Sequence, residues 1–504
     1  MNDFVQEVDI LVVGGGINGC GIARDAAGRG LRVLLCEKDD IASHTSSNST
    51  KLIHGGLRYL ENYEFSMVRE ALSEREVLMD IAPHLIWPMT FVLPHARHLR
   101  PAWMIRIGLF LYDHLGKRTR LPASAKIDLT THRAGDALKG DNRIAFTYAD
   151  CATMDSRLTL LNALDAAERG ATILTHTRCI RAERQAAGWL ATLESAQGRQ
   201  AVKARAIVNA AGPWVRTFID DALHDDARHG VRLVQGSHII VPKIFHHDCA
   251  YIFQNADQRI GFAIPYENDF TLIGTTDQEF RGDPSQVRAT DAEINYLCDL
   301  ANQYFRQQIT PDDVLATFSG VRPLFDDKSG KASKVTREYV LDLDRGENNQ
   351  AAPILNIFGG KLTAYRQLAE KSVNKLLPVL GCDKPDWTDE KQLPGGDIPD
   401  GDFAAFFHGL QKQYPWMDDK LLHRYARQFG TRISEVMQTA NAVTDLGEYF
   451  GASLYAAEVR YLMDREWART PEDILWRRTR QGLWADADTR AALERFMRGD
   501  KPHS

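Results

Sequence analysis

The chain has 504 residues, more than one hydrophobic core normally serves, so two or three domains are expected. Its 44% hydrophobic and 25% charged residues match a soluble globular protein and exclude collagen-like, coiled-coil or disordered bias. A formal net charge of -6 weighs against a nucleic-acid binder, which is normally basic.

Val8 to Val13 is an apolar, β-branched run and reads as a buried parallel strand. The turn Gly14-Gly15-Gly16-Ile17-Asn18-Gly19 follows, and Ile17 to Arg29 reads as a helix ended by Gly30. Leu31 to Cys36 is the next strand, closing with Glu37, so the chain opens on a βαβ unit. Ser66 to Ile81 and Arg157 to Gly170 read as helices. Strands are expected near 173–175, 189–193, 206–210, 270–275 and 314–319. Between the last two, a helix runs from Thr290, its N-cap, to Arg306. Ile354 to Phe358 is a late strand that meets Gly359-Gly360, and a helix follows from Lys361 to about Leu377. Residues 381–401, rich in Gly, Pro and Asp, read as a linker, and the pattern beyond is almost all helical.

None of the seven cysteines forms a Cys-x-x-Cys pair, so neither a zinc site nor a dithiol is indicated, and no metal is expected. Cys20 and Cys36 fall in apolar patterns and read as small buried hydrophobes. The first nine residues carry acids and no basic-then-apolar signal, which points to a reducing, cytoplasmic setting. No run approaches the roughly 18 apolar residues that would span a bilayer.

The opening turn carries the first chemistry. Gly14 permits the tight turn, Gly16 lets the backbone approach a pyrophosphate, and Gly19 lets helix and strand pack closely. Unpaired N–H groups at the helix N-terminus and the helix dipole favour phosphate there, with Ile17 and Asn18 in the cofactor set. Glu37 stands where a carboxylate binds ribose hydroxyls. The order strand, turn, helix, strand, acid reads as a dinucleotide site, without separating FAD from NAD. Two further segments lean to FAD. Thr45-Ser46-Ser47-Asn48-Ser49-Thr50-Lys51, followed by Leu52, is a run of short hydroxyls ending in a cation, suited to wrapping an extended diphosphate. Gly359-Gly360 at a helix start would let N–H groups approach a flavin edge and stabilise the reduced ring.

With these segments in view, the chain resembles the aerobic, FAD-dependent glycerol-3-phosphate dehydrogenases, a branch of the D-amino-acid-oxidase-like flavoproteins. The resemblance runs nearly end to end. It is carried by the residues from Gly14 to Gly30, by Ser46 to Glu61 with its Lys-Leu-Ile-His-Gly-Gly-Leu-Arg-Tyr string, and by Asn209-Ala210-Ala211-Gly212-Pro213-Trp214. Further matches are Gly236-Ser237-His238, Gly274 to Asp277, Ser319 to Leu324, Phe358 to Thr363, and the stretch from Arg460 to Thr479. It implies an α/β FAD-binding (Rossmann-like) domain over 1–85, 150–235 and 318–385. An inserted α+β substrate domain would take 86–149 and 236–317, and a C-terminal helical domain 386–504. It also implies two-electron oxidation of sn-glycerol 3-phosphate to dihydroxyacetone phosphate, with electrons passed to membrane quinone. Oxygen as acceptor, an amino-acid substrate and a non-catalytic flavin protein are the rivals.

A small dianionic substrate needs converging cations, and Arg58, Arg322 and Lys361 each lie in a glycine-rich or tightly turned segment. His238 is the candidate base for the C2 hydroxyl proton, because an ordinary imidazole titrates near neutrality. Tyr59 and Thr363 are expected substrate partners. His54 is assigned to the flavin loop, and Gly212, Leu362 and Thr363 join the cofactor set.

Residues 99–120 form a basic amphipathic segment. Trp103, Ile107 and Leu111 share one face with Met104 and Phe110 beside them, and Arg106, Asp113, Lys117 and Arg120 fall opposite. The pattern suits a core helix as well as one lying in a membrane interface with its cations at anionic headgroups. The quinone implied by the resemblance favours the membrane, hence peripheral attachment to the inner face of the cell membrane. A homodimer is left open.

Overall fold

The computed structural model describes residues 5–95, 100–116, 118–140, 143–223, 230–255, 259–326, 339–346 and 350–499. The opening βαβ unit forms as the pattern dictates, with strand Gln6–Val13, helix Ile17–Gly28 and strand Val33–Cys36. The first strand is the middle of an eight-stranded sheet and pairs in parallel with Val33–Cys36 on one side and Gly198–Asn209 on the other. Ile354–Phe358 adds a further parallel strand beyond Gly198–Asn209. Ile10, Val12, Leu35 and Val208 are fully buried against the small face of the helix, Cys20, Ala23 and Ala26. Burying each of the larger aliphatic side chains contributes roughly 1.5–3 kcal/mol. Helices Asp155–Glu168 and Tyr365–Leu380 pack on the same side.

A second, ten-stranded sheet contains Gly230–Pro242, Phe270–Gly274, Ile260–Tyr266 and Ile144–Thr153. Strand Ala316–Asp326 pairs antiparallel with Gly230–Pro242 along its whole length. The expected domain edges at 149/150, 235/236 and 317/318 therefore fall inside three continuous strands of this sheet. Leu52–Ile53, expected within the FAD-binding domain, also pairs into it. Apolar composition marks where strands lie, but not where one sheet hands over to the next.

Thr290 caps helix Asp291–Tyr304 with a reciprocal capping box to Glu293. The late helix begins later than its pattern suggested. A single 3-10 turn, Leu362–Ala364, intervenes after Gly360, and the α-helix starts at Tyr365. The C-terminal unit has its own core of Leu422, Tyr425, Phe429, Val459, Leu462 and Ile474. It is mostly helical but carries one two-stranded ribbon, Tyr449–Gly451 with Leu454–Tyr455.

Candidate active site

One cavity of about 1000 Å³ runs between the two sheets. That is the upper end of the range for small-molecule sites, about 300–1,000 Å³. The cavity is lined by Glu37, Cys179, Trp214 and Phe218, by the glycine turn and by residues of the 45–50 loop. Arg58, Tyr59, His238, Arg322 and Lys361 line it as well.

The turn has the shape a dinucleotide needs. Gly14 sits at φ 113°, and a Cβ there would lie 2.5 Å from the Ala210 carbonyl oxygen. A Cβ at Gly19 would lie 1.9 Å from the Gly14 oxygen, so Gly19 serves the turn from behind and does not line the cavity. Glu37 is placed by its own hydrogen bonds: one carboxylate oxygen accepts from Gly15 N at 2.7 Å, the other from Asp39 N at 2.8 Å. Burial pushes its pKa up, against the pull of those N–H donors. Lone pairs remain on both oxygens for ribose hydroxyls.

The 45–51 loop differs from expectation in which way its side chains point. Ser46 Oγ accepts from Ile17 N at 2.9 Å, tying the loop over the helix N-terminus. Thr45 Oγ1 donates to Val321 O at 2.8 Å, and Ser49 Oγ donates to Asp155 at 2.8 Å. Ser47 Oγ turns back to His44 O at 3.2 Å, and Lys51 Nζ is buried on Asp155 at 3.0 Å. Ser47 and Lys51 do not line the cavity, so their assignment as cofactor contacts is corrected. A cation shielded from solvent keeps its charge only beside an anion, and Asp155 is that anion. Thr45, Ser46, Ser49 and Leu52 do line it, as do Gly14, Gly16, Ile17, Asn18, Gly212, Gly359, Gly360 and Leu362.

Asn18 Nδ2 donates to Gly359 O at 3.1 Å, which joins the opening turn to the late glycine pair. Gly359 and Gly360 have φ of 75° and 105°, conformations that favour glycine. Asn18 Oδ1, Ser43 Oγ and His238 Nδ1 are buried without a partner in the chain, and all three residues line the cavity. Buried polar atoms are nearly always hydrogen-bonded, so these three fit an extended polar ligand such as FAD.

Six cations line the cavity: Lys38, Arg58, Arg178, Arg259, Arg322 and Lys361. Arg322 pairs with Asp277 at 3.2 Å, both about half exposed. Lys361 Nζ lies 3.9 Å from the centre of the Tyr59 ring and 2.8 Å from Met67 Sδ. Thr363 lines the cavity, and its hydroxyl accepts from His54 N at 3.2 Å and lies 3.4 Å from His54 O, so it also supports the His54 backbone. Sequence reasoning did not single out Arg259, which lies over the Tyr296 ring, or Thr50.

His238 stacks on Phe318 at 4.7 Å, and its Nε2 lies 3.0 Å from Thr50 Oγ1. Burial drives its pKa down to about 3, with Lys51 and Arg322 adding to the effect. This corrects the ground on which it was chosen. The imidazole is a neutral acceptor at ordinary pH, not a group poised at neutrality. His54 is lowered as well, chiefly by burial.

The segment at 99–120 forms helix Ala102–His114, while Leu99 and Lys117 lie outside the described residues. Leu109 and Tyr112 face the core, but Trp103, Ile107 and Phe110 are 63%, 52% and 54% exposed. Arg106 is bonded to Ser124, Arg118 pairs with Asp113, and Arg120 with Asp80. The outward face therefore carries these three apolar side chains together with the exposed Arg106. No helix among the described residues is long and apolar enough to cross a membrane.

Residues 9–346 match the family of FAD dependent oxidoreductases, and residues 387–498 match the C-terminal domain of alpha-glycerophosphate oxidase. The chain is 52% identical to a glycerol-3-phosphate dehydrogenase of Pseudomonas aeruginosa, over 99% of its own length and 97% of the relative's. It is 51% identical to a D-erythritol 1-phosphate dehydrogenase of Brucella abortus, over 97% of each. The crystal structure of a glycerol-3-phosphate dehydrogenase from Bacillus halodurans complexed with FAD is similar, with a TM-score of 0.75 at 27% identity, covering 95% of this chain and 86% of that one.

Proposed function

The chain belongs to the FAD-dependent oxidoreductase family, and from that premise we propose that it oxidises sn-glycerol 3-phosphate to dihydroxyacetone phosphate and passes the electrons to a membrane quinone. The observation that carries the substrate is the set of cations lining the cavity, among them Arg322, which acts on His238, and Lys361, which lies over Tyr59. FAD, when bound, accepts the C2 hydrogen with its electron pair. Arg322 and Arg58 grip the phosphate through paired N–H donors, and Lys361 adds a point charge beside Tyr59. Neutral His238, with Nδ1 unpartnered, accepts the C2 hydroxyl proton as the carbonyl forms. Holding the reacting groups in register is the other large contribution, because positioning removes much of the entropic barrier.

The same similarity to a relative named D-erythritol 1-phosphate dehydrogenase supports a second reading, a longer polyol phosphate as substrate. Against it, Phe91, Ile252, Ile260 and Phe262 are among the residues lining the cavity, and hydroxyls placed against them would go unpaired.

For the acceptor, the exposed stripe Trp103, Ile107 and Phe110 supports docking on a membrane surface, where quinone resides. Turnover with a quinone analogue, measured beside peroxide formation in air, tests this. Substrate-dependent reduction of the quinone with little peroxide is expected. Peroxide as the main product would make the chain an oxidase.

A further inference from the structure

The loop that covers the glycine turn is held from behind, and its supports lead into the C-terminal unit. Asp155 receives Lys51 Nζ at 3.0 Å and Ser49 Oγ at 2.8 Å. It also receives Arg480 Nη2 at 3.4 Å, and Arg480 continues to Glu267 at 2.9 Å and Thr153 O at 3.2 Å. The side chains of Lys51, Asp155 and Arg480 are 9%, 1% and 6% exposed. Arg480 itself is left-handed, at φ 60°, which is uncommon for a residue with a side chain.

A second support reaches the segment after Glu37. Asp40 is buried, and both Arg477 and Arg478 bind it, at 2.6 Å from Arg477 Nε and 2.8 Å from Arg478 Nη2. The two arginines close a π-helical turn, Asp473–Arg478, a local widening that recurs at functional sites. Asp40 is joined to the glycine turn in two steps of backbone, since Ala42 N donates to Gly15 O at 3.1 Å.

We propose that the C-terminal unit positions the cofactor-binding loops. Arg480 acts through Asp155 on Ser49 and Lys51, and Arg477 with Arg478 acts through Asp40 on the segment following Glu37. FAD is thereby retained by residues that do not touch it. The proposal rests on the reading that the 45–50 loop lies against FAD.

The test is the rate of FAD release from purified holoenzyme, followed by flavin fluorescence after dilution, with the melting temperature measured alongside. Arg480→Gln and Arg478→Gln are expected to release FAD about tenfold faster, the equivalent of about 1.4 kcal/mol. Arg480→Lys restores much of the wild-type rate. Arg424→Gln breaks the buried Arg424–Glu458 pair inside the C-terminal unit, away from Asp40 and Asp155, and is expected to lower the melting temperature without changing FAD release. Release that tracks melting temperature across all four variants would reduce these contacts to general stability and overturn the proposal. So would a wild-type release rate in both Arg480→Gln and Arg478→Gln. Ser46→Ala separates the two layers. Fast release there with normal release in the arginine variants refutes the relay alone, and normal release in all refutes the loop reading with it. Should Arg480→Gln fail to fold, Arg477→Gln, with its partly exposed side chain, reads the second support by the same criteria.

Discussion

Thr50 Oγ1 lies 3.0 Å from His238 Nε2, so this cavity-lining imidazole is anchored through one nitrogen, while Nδ1 is left without a partner. Burial, with Lys51 and Arg322, sets its pKa near 3. The folded value is below the ordinary imidazole value of about 6.5, so the unfolded chain takes up this proton first. His238 therefore withdraws stability as pH falls from about 6.5 towards 3. The pH profile of kcat/KM is expected to show no acid limb near 6.5 from this residue. A limb there that vanishes in His238→Gln contradicts the assignment. In single turnover, His238→Ala should slow flavin reduction by about 10²–10⁴-fold, the usual contribution of a general base. An unchanged rate removes it from that role.

Arg322 is half exposed and, among the described residues, forms its ion pair with Asp277, itself more than half exposed, so it can exchange that partner for a phosphate. Arg322→Ala is expected to raise the apparent KM for glycerol 3-phosphate by about 10–100-fold, from the loss of one or two charge-assisted hydrogen bonds. Glycerol, which lacks the phosphate, should be affected little. Steady-state kinetics with both alcohols decides, and equal effects remove the anchor role.

The cofactor cradle can be checked without catalysis. Gly14→Ala places a methyl group 2.5 Å from the Ala210 carbonyl oxygen at a φ of 113°. The turn cannot keep its shape around that atom, and the purified variant should carry little flavin. A wild-type ratio of flavin to protein absorbance contradicts the cradle.

The outward face of helix Ala102–His114 changes which residues should matter for membrane binding. The three apolar side chains Trp103, Ile107 and Phe110 are exposed, whereas Arg118 and Arg120 are already paired within the chain. Replacing the three together with Ser should abolish cosedimentation with liposomes of anionic lipid. Charge reversal at Arg118 and Arg120 should weaken it far less. The opposite ranking would restore a headgroup-contact mechanism.

Residues 99–120 also show what a sequence leaves undetermined. Heptad-like spacing revealed two faces but not which of them the rest of the fold covers, because the answer depends on Ser124 and Asp80, distant in the pattern but adjacent in space. The βαβ opening was legible for the opposite reason. Its strand, glycine turn and helix are fixed by contacts within 30 residues, so local spacing carries nearly all the information. Lys51 stood in a loop of short hydroxyls and read as a phosphate ligand. Asp155, about a hundred positions away, claims it instead. The pKa of His238 could not be read from residue type, since it follows from burial against Phe318 and from the nearby cations. Arg259 had no local signal at all.

Substrate length is separable from chemistry. Extra hydroxyls that meet Phe91, Ile252, Ile260 and Phe262 in the cavity wall would find no partner there. An unpaired buried hydroxyl costs roughly 1–3 kcal/mol, so kcat/KM for sn-glycerol 3-phosphate should exceed that for D-erythritol 1-phosphate by about tenfold or more. The reverse order would assign the cavity to the longer polyol.

The most direct test of the whole account is anaerobic. Purified holoenzyme is mixed with sn-glycerol 3-phosphate, without any acceptor, and the flavin absorbance is followed. Loss of the oxidised-flavin band, with one dihydroxyacetone phosphate formed per flavin, is the predicted result. A flavin band that persists at saturating substrate contradicts it and leaves a flavin-binding protein with another substrate or none.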